Sequence, residues 1–87
     1  YNFNYDFTGE PRVAPLKVFD NGEFTYFQFK NKNISIPGFF EVLSDDTEAL
    51  VNYQVVGNYI VLEKVTSKLT LRHGRDIVCV FNEAFTN

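Results

Sequence analysis

The chain has 87 residues with a formal net charge of -3, and 15 of its residues are aromatic (10 Phe and 5 Tyr). This length predicts one domain with a single core. Because Lys and Arg are few and scattered, no basic face is available to neutralise phosphates, which argues against a nucleic-acid binder. A single cysteine excludes an internal disulfide and a cysteine-based zinc site. No apolar run approaches transmembrane length and no signal peptide is present, so we expect a domain cut from a longer precursor.

The first seven residues alternate strictly between aromatic and polar side chains. The odd positions carry the aromatic residues Tyr1, Phe3, Tyr5 and Phe7. This period of two predicts a half-buried strand with all four rings on one face. Because the strand lies at the chain terminus, we expect it at the edge of its sheet.

A β-hairpin is predicted over residues 13–29, where two runs rich in β-branched and aromatic residues flank an Asn-Gly turn signal. Two registers are open. A two-residue turn at Asn21-Gly22 places Val18 on the same face as Phe27, but it also sets two acidic side chains opposite each other. A three-residue turn with a bulge at the glycine places Val18 on the same face as Tyr26. The like-charge repulsion of the first register favours the bulged one.

Residues 50–65 form the second predicted hairpin, because Gly57-Asn58 suits a two-residue turn with glycine first. This turn pairs Val55 with Ile60 and Tyr53 with Leu62. The residues expected to share one inward face are Val51, Tyr53, Val55, Ile60 and Leu62.

Three further strands are predicted outside the hairpins. Residues 39–43 predict a short strand. It lies between a polar loop predicted at residues 30–35 and an acidic turn predicted at residues 44–47. Residues 68–72 predict a strand whose leucines point inward. Residues 77–81 contain no polar side chain, and a strand apolar on both faces is expected to be covered on both faces. One cover would be the core, and the other a loop, another part of the parent protein or a partner.

The spacing of about eight short strands, with a turn signal between each pair, predicts an all-β fold. The arrangement is either an antiparallel β-sandwich or a partly open barrel. No internal repeat or low-complexity segment divides the sequence. We therefore expect residues 1–87 to form one domain.

The sequence is poor in the convergent reactive groups that an enzyme needs. His73 lies beside a glycine turn signal and is expected to be solvated, with Asp76 as a local ion-pair partner rather than as part of a general-base pair. The acidic residues 45–48 lack the alternating oxygen ligands and the glycine of known calcium loops. No phosphate-binding loop, cysteine–histidine cluster or nucleophile elbow is present. We expect no catalytic residues, no metal site and no cofactor.

Two apolar strands are difficult for a monomeric domain to cover and are the candidates for partner binding. The residues assigned to this surface are Tyr1, Phe3, Tyr5, Phe7, Ile77, Cys79 and Phe81. They would offer an edge for strand addition or aromatic anchors for a groove. The alternative is that both strands lie in the core. Cys79 could form an interchain disulfide only if its side chain were exposed, and burial is favoured.

Several blocks of sequence follow one another in a characteristic order. The first block is Pro15-Leu16-Lys17-Val18-Phe19-Asp20-Asn21-Gly22, followed by Thr25-Tyr26-Phe27-Gln28-Phe29. Later blocks are Leu50-Val51-Asn52-Tyr53, Gly57-Asn58-Tyr59-Ile60-Val61, Leu69-Thr70-Leu71-Arg72 and Val78-Cys79-Val80-Phe81-Asn82. This order resembles the CagX/TrbG-like family, the ninth-VirB-protein subunits of bacterial type IV secretion systems. The resemblance covers most of the chain.

The resemblance implies the C-terminal β-sandwich domain of that subunit, in the periplasm at the outer membrane and within a ring-shaped core complex. It also implies three partners: a small outer-membrane lipoprotein subunit that binds the domain, a tenth-VirB-type channel subunit beside it, and further copies of the chain in a ring. No direct contact with nucleic acid is expected. The alternative function is a freestanding adhesive or carbohydrate-binding module. It would need exposed aromatic residues beside polar groups, such as Tyr26 with Gln28 or Tyr53 with Asn52.

Overall fold

A computed structural model describes residues 1–30 and 36–84 of the chain. Most of the loop predicted at residues 30–35 therefore lies outside the described residues. The strands are β1 (Tyr5–Gly9), β2 (Lys17–Asp20), β3 (Thr25–Gln28), β4 (Gly38–Val42), β5 (Glu48–Leu50), β6 (Tyr53–Val56), β7 (Tyr59–Leu62), β8 (Lys68–His73) and β9 (Asp76–Asn82). Within these two ranges, no helix is long and apolar enough to cross a membrane.

The strands form two antiparallel sheets that enclose one core. One sheet has the order β1-β9-β8-β4-β5 and the other has the order β2-β3-β7-β6. The predicted all-β antiparallel sandwich is confirmed, with nine strands in the described residues where the sequence predicts about eight. Four of the antiparallel pairs join consecutive strands through short connections, whereas β1–β9, β3–β7 and β4–β8 join strands that are distant in sequence.

The core contains alternate residues from the strands of both sheets. Its largest fully buried apolar side chains are Phe27, Phe39, Leu62, Leu69, Leu71, Val78 and Val80. The inward direction predicted for the leucines of β8 is therefore confirmed. Burial of each large apolar side chain stabilises the fold by about 1.5–3 kcal/mol, which makes this cluster the main favourable term.

The hairpin between β2 and β3 has neither of the two predicted registers. Asp20 pairs with Thr25, so residues 21–24 form a four-residue loop. Val18 lies opposite Phe27. The two share a face, as the two-residue alternative predicts, because registers two residues apart keep the same side chains on the same face. The favoured bulged register is therefore wrong about which residues share a face.

Side-chain hydrogen bonds explain the wider loop between β2 and β3. Oδ1 of Asp20 accepts a hydrogen bond from the N–H of Gly22 at 3.0 Å. Oδ1 of Asn21 accepts from the N–H of Glu23 at 3.0 Å and from the N–H of Phe24 at 2.8 Å. Asp and Asn side chains stabilise turns in this way, so the loop is wider than an Asn-Gly pair alone would require.

The hairpin between β6 and β7 has the predicted register. Val55 pairs with Ile60 and Tyr53 with Leu62, and Gly57 has a φ of +59° in the turn. The expectation that all five residues of this face point into the core is only partly correct. Tyr53 is 40% exposed and Val55 is 60% exposed, because β6 is the outermost strand of its sheet.

Candidate interaction surfaces

The N-terminal strand lies at the edge of its sheet, as predicted, but it begins later than expected. Strand β1 starts at Tyr5 and pairs only with β9 among the described strands. Before it, the backbone turns: the N–H of Asn4 donates to Oδ1 of Asn2 at 3.0 Å, and the N–H of Tyr5 donates to the carbonyl oxygen of Phe3 at 2.8 Å. The strict alternation of residues 1–7 is therefore not one continuous strand.

This turn sends the four N-terminal aromatic rings to two places, so the prediction that they share one face is wrong. Tyr5 and Phe7 are half-buried and pack against the core. Tyr1 and Phe3 are 84% and 54% exposed, and their rings stack on Phe19 with centroids 5.8 and 5.1 Å away. The physical reason is the turn at residues 2–5, which carries the chain from one sheet to the other.

A cluster of aromatic rings covers the outer face of the four-stranded sheet. The outer aromatic cluster consists of Tyr1, Phe3, Phe19, Tyr26 and Tyr59. Phe19 is only 7% exposed because the other rings surround it. The rings of Tyr26 and Phe19 stack at 4.9 Å with 8° between their planes. One face of the Tyr26 ring is therefore covered by Phe19.

Polar groups below this cluster tie the N-terminal segment to both sheets. The backbone N–H and C=O of Asn2 pair with those of Asp20 at 2.9 and 3.0 Å. The side-chain amide of Asn2 donates to Oδ2 of Asp20 and to Oδ1 of Asn82, both at 2.9 Å. The Tyr5 hydroxyl donates to Oδ2 of Asp20 at 2.7 Å. We call Asn2, Tyr5, Asp20 and Asn82 the N-terminal polar network.

The N-terminal polar network supplies hydrogen-bond donors to the buried carboxylate of Asp20. Asp20 is buried, and its oxygens accept hydrogen bonds from Asn2, Tyr5 and the loop. Burial, and then the hydrogen bond and charge of Asp20, raise the pKa of the Tyr5 hydroxyl well above its usual range. Among the described residues, no buried side-chain nitrogen or oxygen lacks a hydrogen-bond partner. A fully paired polar network of this kind fixes the geometry of the segment it holds.

The three apolar residues assigned to the last strand lie on the outer face of the five-stranded sheet. Ile77, Cys79 and Phe81 alternate with core residues along β9, and Ile77 is 41% exposed. Cys79 and Phe81 are half-buried. One face of this strand packs on the core, as expected, and in the described chain only neighbouring side chains flank the other face. The expected cover of the outer face by another part of the parent protein or by a partner stays a prediction.

This outer face continues onto the free edge of β1. Thr8 lies opposite Cys79, and Asp6 lies opposite Phe81. Residues directly opposite each other in a sheet point to the same face. The structure thus brings β1 and the three predicted β9 residues together in one surface, which we call the β1–β9 surface: Asp6, Thr8, Ile77, Cys79 and Phe81.

The opposite edge of the sandwich carries an apolar surface that the sequence interpretation missed. Large apolar side chains are exposed there on β5 and β6: Leu50, Tyr53, Val55 and Val56. The sequence does contain one indication of this surface: residues 49–62 contain no charged side chain. Natural sheet edges are commonly protected by charges, so an uncharged run ending in a hairpin marks an edge without that protection.

Charged side chains on the described surface form pairs rather than a reactive site. Nζ of Lys64 lies 2.5 Å from Glu41, and this hydrogen bond lowers the pKa of the Glu41 carboxyl. Arg72 makes two hydrogen bonds with Glu48, at 3.0 and 2.7 Å, which lower the pKa of that carboxyl. Both pairs are accessible to water, so each contributes little to stability.

The predicted partner of the histidine is engaged elsewhere. Oδ2 of Asp76 lies 3.4 Å from the guanidinium of Arg12, and His73 is exposed at the end of β8. The acidic turn at residues 44–47 forms as predicted, with Asp45 accepting hydrogen bonds from Thr47 that lower the pKa of its carboxyl. Within residues 1–30 and 36–84, no group of three or more His, Cys, Asp or Glu side chains is placed to hold a metal ion.

Comparison with known proteins identifies the family. Residues 1–83 match the model of the CagX family, described as a conjugal transfer protein. The chain belongs to the CagX family. It is 38% identical over 84 residues to the type IV secretion system protein virB9 of Bartonella henselae, 36% identical to the protein virB9 of Agrobacterium fabrum, and 33% identical to the type IV secretion system protein virB9 of Brucella abortus.

The CagX chain described here corresponds to only part of these relatives. Each match covers 97% of this chain but only 29%, 28% and 31% of the respective relative. The chain therefore spans less than a third of the length of the curated relatives it matches. The sequence blocks that resemble the family lie in the β2–β3 and β6–β7 hairpins and in β8 and β9, where they form turns and core positions.

Proposed function

We propose that this chain is a structural domain of a type IV secretion subunit and that it binds a small outer-membrane lipoprotein through the β1–β9 surface. Family membership supports the first part, together with three relatives named as virB9 proteins. The observation that carries the second part is the edge of β1, which pairs only with β9 among the described strands, beside the exposed Ile77 and the half-buried Cys79 and Phe81. A free edge offers backbone hydrogen bonds to an added strand, and neighbouring side chains then select its sequence.

The proposed residues have different roles in this binding. Ile77, Cys79 and Phe81 provide apolar contacts for a segment that runs along β1. Tyr1 and Phe3 are exposed aromatic anchors for any part of the segment that crosses to the other sheet. Tyr5 and Phe7 face the core, so their role is to hold β1 in position rather than to contact the partner.

Three further parts of the proposal concern the assembled subunit. The chain is the C-terminal domain of a longer precursor, which agrees with its covering less than a third of each relative. The subunit acts at the periplasmic face of the outer membrane, in a ring of identical copies beside a channel subunit of the tenth-VirB type. The role of the domain is assembly rather than catalysis. Two apolar surfaces at opposite edges of the sandwich suit such a role.

The test is a titration of the chain with the soluble segment of the lipoprotein encoded beside it, followed by NMR and calorimetry. We expect chemical-shift changes concentrated on β1 and β9. The substitution Ile77→Lys should weaken binding at least about 10-fold, because it places a charge in an apolar contact. Leu50→Lys is the matched control: Leu50 is exposed on the same sheet at its far edge, so the affinity should not change.

Two results would count against the proposal in different ways. Binding that is weakened equally by Ile77→Lys and Leu50→Lys would reject the β1–β9 surface and keep the partner. The absence of any binding by a folded chain would reject the lipoprotein as the partner of this domain. An increase in the melting temperature on addition of the segment is a second readout, since a ligand that binds only the folded state stabilises it.

A further inference from the structure

The hydrogen-bonded register of β1 determines which of its backbone groups face away from β9. At one end of the ladder, the carbonyl oxygen of Asn4 accepts from the N–H of Glu83 at 2.8 Å. At the other end, the N–H of Glu10 donates to the carbonyl oxygen of Ile77 at 3.1 Å. Bonded pairs alternate along an antiparallel ladder, so the even-numbered residues of β1 are bonded to β9. The N–H and C=O groups of Phe7 therefore point to the free side of β1.

The usable stretch of this free side is short. The N–H of Tyr5 donates to the carbonyl oxygen of Phe3 at 2.8 Å, so the turn before β1 already occupies that donor. At the other end, β1 stops at Gly9, whose φ of +134° departs from that of a regular strand. An added strand would therefore be centred on Phe7, between the carbonyl group of Tyr5 and Gly9.

Two side chains of β1 flank the backbone groups of Phe7 on the outer face of the sheet. They belong to Asp6 and Thr8, which lie opposite Phe81 and Cys79 of β9. With a strand added antiparallel on the free side, these two residues would form the pairs without backbone hydrogen bonds, in which Cα atoms lie about 4.5 Å apart. Opposite charges in such a pair attract and like charges repel, so the side chains that an added strand places there affect its binding.

Asp6 places a negative charge at one of these two positions. It is exposed, and in the part of the chain that the structure describes no Lys, Arg or His side chain forms an ion pair with its carboxylate. Lys68 lies in the same row of the sheet but beyond Phe81, with its Nζ 5.4 Å from the centroid of that ring. The charge of Asp6 is therefore available to a cation on an added strand.

We propose that the segment bound at β1 is a short antiparallel strand that pairs with Phe7 and carries a lysine or an arginine opposite Asp6. This inference rests on the proposed lipoprotein binding through the β1–β9 surface, and it adds the register and the charge of the bound segment. All seven strand pairs of the described fold are antiparallel, which favours the same direction for an added strand. Asp6 also repels a segment with an acidic residue at that position, so it excludes one class of partner while it attracts another.

The first test measures the affinity of the chain and its variants for the soluble segment of the lipoprotein encoded beside it. Asp6→Asn should weaken binding about 3- to 5-fold at low salt, because it removes the charge and keeps the shape of the side chain. The difference should shrink at high salt. Asp46→Asn is the matched control: it makes the same change in net charge in the exposed turn between β4 and β5, where Asn tolerates the φ of +67°. Its affinity should equal that of the unchanged chain.

The other outcomes reject different statements. Equal weakening by Asp6→Asn and Asp46→Asn would reveal a general effect of net charge and would overturn the pairing at Asp6. Weakening by Ile77→Lys without any effect of Asp6→Asn would overturn this inference and leave the proposed function in place. The absence of any binding by the folded chain would reject the proposed function, and this inference with it.

The second test locates the added strand by amide hydrogen exchange, measured by NMR. In the free chain, the N–H of Phe7 should exchange quickly, whereas those of Asp6 and Thr8 are bonded to β9 and should exchange more slowly. Binding of the lipoprotein segment should slow the exchange at Phe7 at least about 10-fold. No change at Phe7 in a chain that still binds the segment would place the partner elsewhere and overturn the proposed register.

Discussion

The two edges of the sandwich are built in opposite ways. At the edge formed by β1 and β2, the N-terminal polar network joins the sheets, and the outer aromatic cluster covers the side chains of β2. At the edge formed by β5 and β6, apolar side chains are exposed and a shallow cleft opens between the sheets. The two sheets are therefore joined by specific hydrogen bonds at one edge and are separated by a cleft at the other.

The comparison shows that the two edges contribute differently to stability. The closed edge depends on a polar network around the buried carboxylate of Asp20, in which Asn2 also bonds Asn82, 80 residues away in sequence. Removal of one partner leaves a buried polar group unpaired, which is costly. The exposed apolar side chains of the open edge are not tied to a comparable buried polar network, so their substitution should cost little stability. We therefore expect substitutions in the N-terminal polar network to lower stability, and substitutions of the exposed side chains on β6 to leave it nearly unchanged.

The largest expected effect is that of Gly9→Ala on the closed side. Gly9 has a φ of +134°, and an added Cβ would lie 2.2 Å from the carbonyl oxygen of Ile77. We expect a loss of about 3 kcal/mol in the free energy of unfolding, since both backbone strain and a backbone clash oppose the substitution. Urea denaturation measures it. Gly57→Ala is the control on the open side: its φ is +59° with no atom within 4 Å, so the loss should be only about 1 kcal/mol.

Tyr5→Phe tests the N-terminal polar network directly. It removes the hydroxyl that donates to Asp20 at 2.7 Å and leaves the ring in place. We expect a loss of about 2 kcal/mol, because a hydrogen bond to a buried charged group is stronger than a neutral one. Tyr53→Phe on the exposed strand β6 should change stability by less than about 0.5 kcal/mol. Equal effects of the two substitutions would contradict the distinction between the edges.

The raised pKa of Tyr5 predicts a loss of stability in alkali. Because the folded state holds the phenolic proton more tightly than the unfolded state, its contribution is complete below the ordinary pKa of 10.0 and is lost as pH rises above that value. Thermal unfolding measured from pH about 9 to about 11 should show this decline. The decline should be smaller in Tyr5→Phe. A parallel decline in both proteins would assign the effect to other groups.

The smallest expected effect concerns the ion pair of Glu41 and Lys64, which links the two sheets beside the open cleft. Since pairing lowers the pKa of Glu41 from 4.5, its contribution is present above that pH and is lost as pH falls through the lowered value. Glu41→Gln should cost at most about 1 kcal/mol at neutral pH and nothing in strong acid. A high salt concentration should reduce the difference at neutral pH.

The parts of the fold that sequence predicted are those governed by neighbouring residues. The β6–β7 register follows from a two-residue Gly-Asn turn, and the inward leucines of β8 follow from a period of two. The β2–β3 register was missed because the side chains of Asp20 and Asn21 hold a wider loop, a contribution that the Asn-Gly signal does not contain. The two-residue alternative still predicted which side chains share a face, because its register differs from the observed one by two residues. A shift by an even number of residues keeps every side chain on its face of the sheet.

The candidate surfaces depended more on distant residues and were predicted less well. The alternation of residues 1–7 gave no indication of the turn at Asn4, because the partners of Asn2 are Asp20 and Asn82. The position of Ile77, Cys79 and Phe81 on one face followed from alternation, but their neighbours on β1 and β8 required the topology. The exposure of β6 required knowledge of which strand ends the sheet, which no local pattern contains.

The pairing of β1 with β9 also determines how the domain responds to mechanical force. Tyr5 lies opposite Asn82 at one end of this ladder, and Gly9 lies opposite Val78 at the other end. The chain therefore enters and leaves the domain at the same end of the two strands. A pull on both ends would act along the hydrogen bonds and break them one pair at a time, rather than shear the whole ladder at once. In an optical trap we expect the bonds of Asn2 with Asp20 and Asn82 to break first and β1 then to peel away, before the rest of the sandwich unfolds.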